Sequence, residues 1–235
     1  MSIIVTGCDK GGGGKTTVAL NIAAYLAMEG RDVVLMDADN SRDDEEEDPE
    51  GDASGLLALR GQHPELVQIH HAQGVGRIQS AIRSLAARFQ DVIIDTGAGD
   101  TTELRSALKT AHLAVMPLAP RLFDQWAARR MARLLDDARF DNPGLEGLAV
   151  INFATTNWMS RRAEEARELL GQYKQFTVAA GVLYLRDPIE LAQHTGRSVF
   201  EGGRACHKAA DDMAAVMQAI IDKLGTQYRS RLNHG

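Results

Sequence analysis

The sequence predicts an α/β fold, a mostly parallel central sheet with helices on both faces. Three observations predict it. Short apolar, β-branched runs recur along the 235 residues. Most are followed by a stretch with apolar residues at helical spacing. Strands alternating with helices argue crossover units and a buried parallel sheet. Finally, two of the strands end in an acid, at the sheet edge where open α/β proteins bind ligands.

The elements follow in order. Ile3-Ile-Val-Thr-Gly7 is a first buried strand, and 16–28 has a helical apolar pattern without Gly or Pro. Residues 32–37 form a second strand, ending at Asp37. Residues 41–74, with two prolines, several glycines and an acidic run, are expected to be loop. A helix over 76–89 leads to a third strand, 91–95, ending at Asp95. A helix near 101–110, a strand over 112–117 and a helix over 124–138 come next, the last with Asp124 as N-cap. Strands at 147–152 and 181–185 and helices at 159–172, 188–195 and 204–224 complete the chain. No internal repeat and no linker divides it, so a single domain over 1–235 is expected, with an acidic loop at about 40–55.

Residues 10–17 read Lys-Gly-Gly-Gly-Gly-Lys-Thr-Thr, between the first strand and the first helix. That context makes the stretch a P-loop and the fold a three-layer P-loop NTPase fold. Gly11, Gly12, Gly13 and Gly14 let the backbone close around phosphates, with N–H groups and the helix dipole facing the anion. Lys15 is expected at the β- and γ-phosphates, Thr16 on Mg²⁺ and Thr17 at the α-phosphate. Asp95 matches the acid that holds Mg²⁺ through water. Asp39, just past the second strand, is placed to orient the attacking water. Asp37 is expected to support the metal or the Thr16 hydroxyl. The cofactors expected are thus ATP or ADP and Mg²⁺.

Lys10 is surplus to one nucleotide site. It is either a solvated surface lysine or a group that reaches the nucleotide of a second subunit. Across an interface, an ammonium about 4 Å from a phosphate contributes on the order of 4 kcal/mol per charge pair at intermediate dielectric. That gain exists only in a dimer closed around nucleotide.

Composition narrows the class. No run of 18 apolar residues spans a membrane, and the N-terminus carries no signal-peptide pattern. Cys8 and Cys206 are too far apart for a metal spacing, which points to a reduced, cytoplasmic protein. Net charge is −6, yet residues 37–52 alone hold ten acids and one base. From residue 53 onward there are 22 Lys/Arg against 19 Asp/Glu, so the rest is mildly basic.

Lys10–Thr17 resembles the deviant phosphate loop of the ParA/MinD ATPases, in which the first lysine acts in trans. Asp37-Ala-Asp39 resembles the first switch segment of that family, and Asp91-Val-Ile-Ile-Asp95-Thr-Gly-Ala-Gly99 the second. Val115-Met-Pro-Leu-Ala-Pro-Arg-Leu-Phe-Asp124 looks like the strand-to-helix turn of small plasmid-partition members such as ParF, and Ser198-Val-Phe-Glu201 like a segment before their last helix. The resemblance covers nearly the whole chain. It implies an ATP sandwich homodimer, slow Mg²⁺-dependent hydrolysis, and a role in partitioning DNA or placing large cargo on the bacterial nucleoid. It also implies Asn152 as an adenine reader and Asp187 and Pro188 as the loop beside the base. Where many members carry Pro-Gln after the switch acids, this chain has Asn40-Ser41 and the acidic run.

The tail Gly225–Gly235 is short and polar, unlike the amphipathic membrane helix of MinD-like members, so no membrane partner is expected. Arg129, Arg130 and Arg133 share one helix, and Arg161, Arg162 and Arg167 another. With Arg197, Arg204, Lys208, Lys223, Arg229 and Arg231 they are a pool for non-specific DNA contact. A separate protein, ParB-like or a cargo adaptor, is expected to stimulate hydrolysis. The rivals are a MinD-like membrane regulator and a metabolic phosphotransferase. An iron–sulfur reductase lacks cluster cysteines.

Overall fold

Strand β1 (Ser2–Cys8) is buried at every position and lies at the centre of a seven-stranded sheet. The computed structural model describes residues 1–8, 11–40, 53–120, 124–157 and 159–225, without the side chains of residues 124 and 125. The other strands are β2 (Val33–Ala38), β3 (His70–Gln73), β4 (Asp91–Ala98), β5 (Leu113–Leu118), β6 (Glu146–Ala154) and β7 (Thr177–Tyr184). Their order is β3-β2-β4-β1-β5-β6-β7, and every pair is parallel. The expectation of a mostly parallel sheet is therefore met in full among the described residues.

Each strand alternates its side chains between two cores, as the pleat requires. Ile3, Val5, Val92 and Ile94 face one, with α3 (Gln79–Ala86), α4 (Thr102–Leu108), α5 (Asp124–Asp141) and α6 (Arg162–Leu170). Ile4, Leu35, Ile93 and Val115 face the other, with α1 (Lys15–Met28), α2 (Ala53–Arg60), α7 (Asp187–Gln193) and α8 (His207–Leu224). This is the three-layer arrangement expected from the sequence. Helix α1 is buried at nine of its 14 positions, which suits the most central helix. The Thr101 hydroxyl accepts from Leu104 N at 3.1 Å and starts α4.

The stretch 41–74 is where the sequence reading departs most. It holds α2 and β3 rather than loop throughout. Strand β3, His-His-Ala-Gln, is an edge strand exposed at three of its four positions, with no β-branched residue to mark it. Strand β7 starts at Thr177, four residues before the expected 181, and α6 is shorter at both ends than 159–172. Helix α5 runs on to Asp141. The acidic residues 43–52 lie outside the described residues.

Candidate nucleotide site

Register brings the strand-end acids together. Thr6 of β1 is opposite Asp95 of β4, and Asp95 is opposite Asp37 of β2. The glycine loop leaves β1 at this same end and turns into α1. Gly14, the N-cap of α1, has φ 80° and ψ 26°, the left-handed conformation. A Cβ at Gly14 would meet Asn152 Nδ2 at 2.4 Å and Phe153 Cζ at 3.1 Å, so position 14 needs glycine on two counts. Lys15 follows immediately, buried to 7% exposure.

Asp95 is the most perturbed group of the site. Burial pushes its pKa up to about 7, against the pull of the Thr16 hydroxyl, the Lys15 ammonium and the Thr6 hydroxyl. The Asp37 charge adds a further upward push. Thr6 Oγ1 donates to Asp95 Oδ1 at 3.1 Å. Asp95 Oδ2 is buried without a hydrogen-bond partner among the described residues. A buried carboxylate with a threonine hydroxyl and a lysine ammonium acting on it and one oxygen unpaired suits a hard divalent cation, whose charge offsets the desolvation. Among the described residues no cluster of three His, Cys, Asp or Glu side chains forms a metal cage. Mg²⁺ bound through one or two carboxylates and substrate phosphates needs none.

Asp37 is engaged differently from Asp95. Its Oδ1 accepts from Asp39 N at 3.1 Å, and its Oδ2 accepts from Ser54 N at 3.0 Å and from the Ser54 hydroxyl. It thus anchors both ends of the segment between β2 and α2. Asp39 packs on β4, where a Cβ at Gly97 would come within 2.6 Å of its Oδ1. The close approach explains the glycine there. Asn40 Nδ2 donates to Gly74 O at 3.2 Å and Glu103 Oε1 at 3.0 Å, and Glu103 also accepts from Gly76 N at 2.7 Å. Asn40 therefore ties the segment after β2 to α4. Lys10 lies outside the described residues.

A cavity of about 350 Å³ opens beside the start of α1. It is lined by Thr17, Asn152 and Asp187 among the expected residues, with Phe153, Arg186 and Gln193 among those not foreseen. Asn152 is 6% exposed and its amide is already committed. Nδ2 donates to Gly13 O at 2.9 Å, and Oδ1 accepts from Phe153 N at 2.9 Å. Phe153 has φ 55°, a left-handed conformation that costs an aromatic residue about 1–3 kcal/mol. The turn sets the Phe153 ring against Gly14. Pro188, expected beside the base, does not line the cavity; its carbonyl, at the start of α7, accepts from Cys206 Sγ at 3.3 Å.

The arginine pool divides on inspection. Arg167 donates to Ala179 O and Ala180 O, Arg197 pairs with Glu65, and Lys223 with Glu146. Arg129, Arg130 and Arg133 are exposed on α5 and line a groove with Trp126 and Tyr173. No described helix is long and apolar enough to cross a membrane.

A left-handed glycine opening a central helix, a buried lysine beside it and a buried strand-end acid define a P-loop nucleotide-binding protein. Residues 3–228 match the CobQ/CobB/MinD/ParA nucleotide binding domain. The chain belongs to that family and is a ParA/MinD-type P-loop ATPase. It is 26% identical over 216 residues to the maintenance of carboxysome distribution protein A of Halothiobacillus neapolitanus, covering 90% of this chain and 93% of that one. It is 36% identical over 105 residues to the chromosome-partitioning ATPase Soj of Thermus thermophilus, covering 43% and 38%. Its fold is that of Cyanothece McdA, solved as an ATP complex of an Asp-to-Ala variant. The TM-score is 0.70 at 16% identity, over 96% of each chain.

Proposed function

We propose that this chain is an ATP-operated positioning switch. ATP closes two copies into a sandwich homodimer, the dimer holds DNA without sequence preference, and a partner protein stimulates hydrolysis and release. The observation that carries this reading is Asp95, with one buried oxygen unpaired beside Thr16 and Lys15 at a P-loop of this family.

In this reading Gly11–Gly14 wrap the phosphates and Lys15 meets the β- and γ-phosphates. Thr17 donates to the α-phosphate. Thr16 and Asp95 would hold Mg²⁺, which would neutralise the charge of the phosphates. Asp37 contributes by holding Asp39 in place through the 3.1 Å bond from its amide, and Asp39 orients the attacking water. Asn152 and Asp187 border the adenine; Asn152 must release Gly13 O to read it. Lys10 reaches the partner's nucleotide.

Arg129 and Arg133 support the DNA step. No acid pairs with either among the described residues, and they lie one helical turn apart, about 6 Å along α5. Their contribution is electrostatic and falls with salt. The relatives named for carboxysome distribution and chromosome partitioning support a large body as the cargo.

Sizing and DNA binding with ADP, ATP and a non-hydrolysable analogue in parallel test the reading. A dimer and DNA binding are expected only with the triphosphates, and Lys10→Ala removes both. Dimers that persist with ATP in Lys10→Ala, or DNA binding indifferent to nucleotide and salt, overturn it.

A further inference from the structure

The Thr17 hydroxyl is held by a residue far along the chain, and its carbonyl by Asn21 one turn on in α1. Gln193 Nε2, at the end of α7, donates to Thr17 Oγ1 at 2.7 Å. Asn21 Nδ2 donates to Thr17 O at 2.7 Å, and Asn21 Oδ1 accepts from Val199 N at 2.8 Å in a buried contact. A hydroxyl has one proton and two lone pairs. With a lone pair taken by Gln193, the Thr17 proton must go elsewhere.

A threonine inside a helix ordinarily donates back to the carbonyl four residues earlier. Here that carbonyl is Gly13 O, which already accepts from Asn152 Nδ2 at 2.9 Å. That oxygen is neutral and shared, so a bound phosphate, with its full charge, is the stronger acceptor for the Thr17 proton. Gln193 in turn is not free to wander. The segment that follows it is pinned by Arg60, whose guanidinium donates to Gly196 O at 3.1 Å and to both oxygens of Glu201.

We propose that Gln193 is a positioning residue for the nucleotide, which fixes the Thr17 hydroxyl as a donor to the α-phosphate. The inference rests on the reading of Thr17 given above and adds the group that makes its geometry fixed. Gln193 touches Thr17, not the phosphate. An amide that donates here enforces the donor role of the hydroxyl. A carboxylate in its place accepts only, and would draw the proton to itself.

Calorimetry on the full chain with ADP and with adenosine tests this. Gln193→Leu should weaken ADP about fivefold to tenfold, the worth of one hydrogen bond, and adenosine, which has no phosphate, by distinctly less. Gln193→Glu should weaken ADP further. Thr17→Val should weaken ADP by as much as Thr17→Val/Gln193→Leu, because the double variant has nothing left to lose. Thr17→Ser should retain the dependence on Gln193. In turnover assays the Gln193→Leu loss should fall on KM. Equal losses for ADP and adenosine, or additive losses in the cycle, overturn the inference. So does Thr17→Val weakening ADP while Gln193→Leu does not, and the Thr17 reading then survives. If Thr17→Val binds ADP normally, the phosphate reading fails and the inference falls with it. Thermal midpoints within a few degrees of the parent's confirm that each variant is folded.

Discussion

The phosphate end and the base end of this site are built by different means. The phosphate end is made from backbone. A left-handed glycine, a helix N-terminus and three strands in register bring Thr6, Asp95 and Asp37 side by side. The base end is made from side chains that reach across the fold. From it Asn152 reaches Gly13 and Gln193 reaches Thr17 at the phosphate end, and Arg60 holds the segment behind α7 through Glu201 and Gly196. Backbone geometry is local and tolerates little change at one residue. A web of long-range side-chain bonds spreads its dependence over distant residues.

The largest effect should come from the base-end web. Arg60 and Glu201 are 5% and 9% exposed, and Glu201 also accepts from the Ser198 amide and hydroxyl. Burial pushes the Glu201 pKa up, but Arg60 and Ser198 outweigh it and hold the carboxyl below its usual range. Removing one member of a buried pair costs about 3–5 kcal/mol, because the other is left charged and unpaired. Arg60→Ala should lower the thermal midpoint by on the order of 10 °C and weaken nucleotide binding as α7 loosens. An unchanged midpoint would show that α2 is not a strut for the base end.

The counterpart at the phosphate end is Gly14→Ala. The new Cβ meets the Asn152 amide and the Phe153 ring and sits at an unfavourable φ. ADP affinity should fall about 100-fold, roughly the 3 kcal/mol of a strained backbone position, with a smaller change in stability. If Asn152→Ala restores binding in the Gly14→Ala background, the clash rather than the φ is responsible, and the two ends are coupled there.

This contrast also explains what the sequence showed. The phosphate end was legible because its determinants are contiguous: strand, four glycines, Lys15, Thr16, and acids at two strand ends. The sheet was legible for the same reason, through apolar runs. Gln193 and Phe153 were not, since their contacts join residues 176 and 139 positions apart, the Phe153 turn being set by Asn152 on Gly13. Arg60 did leave a signal. Ala53, Leu56, Leu57 and Arg60 share one helical stripe, and all four are buried. An arginine ending an apolar stripe asks for a buried acid, and Glu201 supplies it. Strand β3 left none, being polar and at the edge.

Asp95 should separate the ends further by pH. Its carboxyl, at about 7 when folded, keeps a proton that the unfolded chain releases near 4. The nucleotide-free protein therefore loses stability as pH rises through that window, and loses none below it. Asp95→Asn removes the charge. It should be more stable than the parent above pH 7, by on the order of 4 kcal/mol, with the gap closing as pH falls. The same variant should lose Mg²⁺-dependent nucleotide binding. A gap that does not vary with pH would mean the buried charge is offset by contacts already present.

The smallest effect lies away from both ends and serves as their reference. His112 Nδ1, just before β5, accepts from Ile3 N at 2.9 Å at the opposite edge of the sheet. Burial, and then the charge of the chain's N-terminus, hold its pKa below the usual histidine range. The sign is the reverse of Asp95: the fold prefers the neutral ring. Its contribution is complete above about pH 6.5 and is lost as pH falls from there through the folded pKa. His112→Gln keeps an acceptor for Ile3 N without a titrating proton. Between pH 7.5 and 5.5 the parent should lose more stability than the variant, while ADP affinity stays equal in the two at each pH. If ADP affinity in His112→Gln departs from the parent's as pH falls, the far edge of the sheet communicates with the site. The separation between a backbone-built and a side-chain-built end would then be too simple.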